Sequence, residues 1–154
     1  MKRKTKRQII KETFNYYRKD VSRRSVGYYG DYGDELRRYQ CCRYNSADGR
    51  HCAVGRVLKA QYRKQGVNLS CNQEGLSKLV SRHLGLWVYD KNTDIYLDDM
   101  LKPSYRGHAL QFWADIQGLH DGEAYWSDND VTDTGIKRMK ELLHKYDNQT
   151  ERKR

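Results

Sequence analysis

The spacing of apolar positions along the sequence alternates between helical and strand-like periods, and the changes of period mark its elements. Ile9, Ile10, Thr13, Phe14 and Tyr17 share one face at helical spacing, which predicts a first helix from about Thr5 to Asp20. The next stretch, SRRSVGYYGDYGDE, has three glycines within residues 27–33 and reads as a loop. A second helix is predicted from near Cys52 to Gly66, with Val54, Val57, Leu58 and Gln61–Tyr62 as its stripe. A third begins at Ser70, with Gln73 placed to complete a capping box, carries Leu76, Leu79, Val80 and His83–Leu84, and stops at Gly85. The segment LWVYDKNTDIYL, residues 86–97, then changes period, and its two apolar runs around a turn-prone tetrapeptide predict a β-hairpin. Pro103–Ser104 is expected to open a fourth helix with Ala109, Phe112, Trp113, Ile116 and His120 on its face. Asp133 is expected to cap a fifth, carrying Ile136, Met139, Leu143 and Tyr146.

These elements add up to a mainly α (small α+β) fold, a compact single domain of about five helices with a short β-hairpin. The domain is expected over residues 1–148, with 149–154 a basic disordered tail that lacks any apolar anchor. Its core should be small and amphipathic at the rim, because 13 tyrosines stand against two phenylalanines. No stretch approaches the apolar length that spans a bilayer, so no membrane is expected, and the basic N-terminus lacks a secretory apolar run. Four cysteines in no scaffold pattern suggest a reduced, intracellular setting.

Charge sharpens the picture through its distribution. Residues 1–24 carry ten Lys/Arg against Glu12 and Asp20, and residues 37–82 carry ten against Asp48 and Glu74. Residues 83–136 reverse the balance, with three bases against ten acids, although the whole protein is +10. Such asymmetry suits binding a polyanion through one face. Lysine and arginine that only solubilise helix faces would give the same composition. The loop SRRSVGYYGDYG sets Arg23 and Arg24 beside Tyr28, Tyr29 and Tyr32, a pairing of phosphate-binding charge with base-stacking rings. Arg56, Lys59, Arg63 and Lys64 of the second helix, with Lys4, Arg7, Lys11 and Arg18 of the first, would extend the patch. The rings could equally fold back onto the core. No helix-turn-helix, zinc-finger or RNP signature supports sequence-specific reading, and the glycine-rich loop lacks the Gly-Lys-Ser/Thr of a phosphate loop.

The stretch CRYNSADGRHCAVGRVL, residues 42–58, is the strongest candidate for chemistry. Cys52 at a helix start, with His120–Asp121 downstream, has the order of a thiol hydrolase's nucleophile, base and orienter. The structural reading is simpler. Cysteine packs as a small hydrophobe, and Ala53 and Gly55 let the helix approach the one carrying Trp113 and Ile116, with His120 at the junction. Cys41, Cys42, His51, Cys52 and Cys71 are suitable zinc ligands in type, but no CxxC, CxxH or HxxxH places two on one knuckle. DKNTDIYLDDML, residues 90–101, imitates half a calcium loop and then lacks its glycine and its bidentate glutamate. No cofactor or metal is expected.

The same stretch resembles the DG-x-x-CA-x-G-x-L segment of small phage and prophage proteins of bacteria. QEG at 73–75 is similar to that family's central Glu-Gly pair, and DIQGLHDGEAYW at 115–126 to its L-Q-x-x-H-D element followed by tryptophan. The resemblance covers about residues 20 to 146. The sequence departs from it in the Tyr/Gly run at 27–33, Ile116, the 86–97 segment and the basic tails. It implies a bacterial host cytoplasm and a part in host takeover or anti-defence, with no established activity. The reading is therefore a non-enzymatic accessory protein binding RNA, DNA or a nucleotide. The alternatives are an inhibitor of a host protein acting through the acidic 83–136 block, and the thiol hydrolase.

Overall fold

A computed structural model describes residues 1–24, 49–63, 81 and 96–147, and the backbone of 26–29, 39–42 and 64–65. The fold is mainly helical. The first helix, α1 (Lys6–Lys19), is set by its N-terminus: Thr5 Oγ1 accepts from Gln8 N–H at 3.1 Å, and Gln8 Oε1 accepts from Thr5 N–H at 2.9 Å. It buries Ile9, Ile10, Thr13, Phe14 and Tyr17, the face its periodicity predicts. Asp20 ends it and caps a short 3-10 turn, Val21–Arg23, by accepting from Ser22 N–H.

Beyond that turn the predicted loop is corrected in part. Val26–Tyr29 forms a strand, β1, that pairs antiparallel with β2 (Tyr39–Cys42), Val26 opposite Cys42 and Tyr29 opposite Tyr39. The glycine spacing had hidden the preference of valine and tyrosine for a pleated backbone.

The predicted helix 52–66 is broken into α2 (Ala53–Val57) and α3 (Ala60–Gln65). Leu58 turns to an extended backbone and bridges Leu101, while Lys59 N–H donates to Met100 O at 2.9 Å and Lys102 N–H to Val57 O at 3.0 Å. Two backbone bonds to a distant segment replace the helical ones, so tertiary pairing overrides a continuous apolar stripe. The predicted helix from Ser70 lies outside the described residues apart from helical Ser81. The predicted hairpin lies outside them up to residue 95, and its Tyr96 bridges Ala109.

Pro103–Ser104 opens a 3-10 turn, Pro103–Tyr105, and not the fourth helix. The backbone then turns through Gly107 at φ +93°, and α4 runs Leu110–Asp121. Its buried side includes Phe112, Trp113, Ile116 and His120, as the spacing predicts. Another 3-10 turn, Glu123–Tyr125, and a bridge between Trp126 and Val131 lead into α5 (Asp133–Asp147). Thr132 supplies the cap in place of the expected Asp133, its Oγ1 accepting from Gly135 N–H at 3.1 Å. Gly135, Leu142 and Tyr146 are the buried positions of α5, and Ile136, Met139 and Leu143 pack at the core's edge. α1 packs on α4 and α5, and α2 packs on α4, so the core lies among these four helices.

Candidate functional site

Cys52 closes the first turn of α2 as its N-cap. Its side chain is fully buried, and Sγ accepts from Gly55 N–H at 3.3 Å. Gln117 stitches α2 to α4, since its Oε1 accepts from Val54 N–H at 3.1 Å and its Nε2 donates to Asp121 at 2.6 Å. His120 is fully buried, with Nδ1 at 2.8 Å from Asp121 and its ring edge-on to Tyr17 at 4.7 Å between centroids. The helices of Cys52 and Trp113 do pack together, with His120 buried against Tyr17 of that core. The thiol is bonded back to its own helix, and Asp121 holds His120 and Gln117 together. Chemically this is an interhelical polar stitch inside apolar packing.

The nominated cations fall into two environments. Arg24 is 5% exposed, and both Nε and Nη2 donate to His120 O, at 3.0 and 2.7 Å, with the guanidinium over Trp126. The last carbonyls of α4 lack helical partners and carry the negative end of its dipole, so a cation satisfies that terminus. Arg56 lies over Tyr16, and its Nη1 donates to Glu12 at 2.8 Å. Arg23 packs on the same Tyr16 ring and sits 3.7 Å from Asp20. Lys59 donates to Asp99 O at 2.7 Å, and Arg63 Nη1 lies 2.8 Å from His51 Nε2, which must accept because guanidinium only donates. The side chains of Lys64, Tyr28 and Tyr29, and all of Tyr32, lie outside the described residues.

Glu12 forms a hub that sequence reasoning missed. Lys4, Arg56 and the Tyr105 hydroxyl all converge on its carboxylate. Burial alone would raise its pKa, but the hydrogen bonds from Lys4, Tyr105 and Arg56 outweigh that and hold it below the ordinary value. Nearby, burial and then the positive fields of Arg63 and Arg56 push the Lys102 ammonium down. The only sequence signal for the hub is a lone acid in a basic helix. Its partners Arg56 and Tyr105 lie 44 and 93 residues away, beyond any local pattern.

With Glu12 turned inward, the outer face of α1 is left cationic. Arg7, Gln8, Lys11, Asn15, Arg18 and Lys19 are exposed, and among the described residues Lys11 and Lys19 have no acidic partner. Arg7 reaches Asp147 at 2.7 Å and Arg18 reaches Asp130 at 3.9 Å, both as half-exposed surface pairs. Such pairs contribute only about 0–1 kcal/mol and can be exchanged for another anion.

Among the described residues no group of three or more His, Cys, Asp or Glu could hold a metal, and no helix is long and apolar enough to cross a membrane. No protein-family model, curated protein or solved structure matches this sequence.

Proposed function

We propose that the protein is a non-enzymatic accessory protein that binds a nucleic acid electrostatically, with the outer face of α1 as its principal contact surface. The observation that carries this reading is that face itself: four exposed cations on one helix whose single acid is committed to a partly buried hub. The nominated loop gives less support, because Arg24 is spent inside the fold. A thiol hydrolase is not favoured, since the Cys52 sulfur is buried and bonded to its own helix. The resemblance to phage proteins suggests that the bound nucleic acid serves host takeover or anti-defence in a bacterial cytoplasm.

The test is the salt dependence of binding, followed by fluorescence anisotropy on labelled nucleic acid. Each phosphate neutralised releases a counterion, so affinity should fall steeply with salt, and Lys11→Gln with Lys19→Gln should flatten the log–log slope by up to about 0.9 per lysine. Absence of binding at low salt would leave a host protein as the better target.

A further inference from the structure

We propose that the outer face of α1 grips the phosphate backbone of a double-stranded nucleic acid without reading its bases. The inference rests on the polyanion reading and adds the kind of strand. Two binding modes separate single strands from duplexes. A single strand carries about half the charge per length of a duplex, and proteins that prefer it recover the difference by stacking its bases on aromatic faces. Among the described residues the α1 face has cations but no such platform. Every aromatic side chain among the described residues is buried or half-buried. Tyr16, the ring nearest that face, has Arg23 at 4.8 Å and Arg56 at 5.0 Å from its centroid, so cations already occupy it.

The spacing suits a rigid duplex. Arg7 and Arg18 lie on the same side of α1 and about 16 Å apart along its axis, with Lys11 between them. That separation, with the reach of two long side chains, is comparable with a major groove roughly 12 Å wide between its phosphate walls. α1 is also held in place: its buried face is in the core, and its N-terminus is fixed by the Thr5–Gln8 capping box. A preorganised row of charges loses little freedom on meeting a stiff, regularly charged rod. Asp147 and Asp130 now sit where phosphates would, against Arg7 and Arg18. They compete with the ligand.

The deciding experiment titrates the full-length protein against one sequence presented as duplex and as single strand, in DNA and RNA forms, at several salt concentrations. The duplex should bind about tenfold tighter than either of its strands at moderate salt, given its higher charge density. Asp147→Asn and Asp130→Asn, both exposed, should tighten duplex binding, with unchanged thermal melting as the check on folding. Tighter binding of the single strand overturns the duplex inference and leaves the polyanion reading standing, whereas weakening by the two asparagine variants overturns α1 as the contact face. No binding to any of the four ligands at low salt overturns the polyanion reading itself.

Discussion

Glu12 shows how one residue can set the character of a whole face. It is the single acid within α1, and by turning toward Lys4, Arg56 and Tyr105 it leaves the solvent side to cations. Its pKa is depressed in the folded protein, so its contribution to stability is fully present above the ordinary value of 4.5 and is lost as pH falls through the lower folded value. Glu12→Gln should therefore cost about 1–3 kcal/mol at neutral pH, because Arg56 loses its charged partner, and should remove part of the acid-induced loss of stability. Urea unfolding at pH 7 and again below pH 4 measures both, and an unchanged acid branch would contradict the assignment. Cys52 illustrates the opposite case, a reactive side chain used for packing. Cys52→Ala should leave nucleic-acid binding unchanged and cost on the order of 1 kcal/mol. Rapid alkylation of the native thiol would instead reopen the enzyme reading.

At the scale of elements, legibility followed the range of the forces involved. α1 could be read because its stripe and its burial coincide, from Ile9 through Tyr17. The apolar face of α4 could be read for the same reason, but not its start, since the backbone between Pro103 and Leu110 is shaped by a 3-10 turn and by Gly107 at positive φ. The break between α2 and α3 was invisible because Leu58 continues the helical stripe; only its bridge to Leu101 pulls it out. Arg24 looked like a surface base because its acceptor, His120 O, lies 96 residues away. Gly135 is another contact that spacing does not reveal. A Cβ there would run into Tyr125 O and Val131 Cγ2, so α5 can start against the preceding 3-10 turn only with glycine. Gly135→Ala, although favourable for helix propensity, should destabilise by roughly 1–3 kcal/mol through overpacking. A thermal melt equal to or above that of the parent protein would show that the turn yields at little cost.

Over the whole molecule, formal charge divides into cations that hold the fold and cations that face solvent, and composition cannot tell them apart. Arg24 and Arg56 belong to the first group, bonded to His120 O and to Glu12; Lys11 and Lys19 belong to the second. Neutralising either pair changes the net charge of +10 by the same amount, so any effect of total charge would be equal in the two variants. The fold predicts a double dissociation. Arg24→Gln with Arg56→Gln leaves the buried His120 carbonyl and the partly buried Glu12 carboxylate poorly paired and should lower stability by about 1–3 kcal/mol per site, while folded molecules keep the parent's salt slope. Lys11→Gln with Lys19→Gln removes no internal bond and should leave stability within about 0.5 kcal/mol, while flattening the slope. Denaturant titration and salt-dependent anisotropy on the same two proteins separate the outcomes. If both variants flatten the slope equally, binding follows net charge and not a surface, and α1 loses its claim to be the contact.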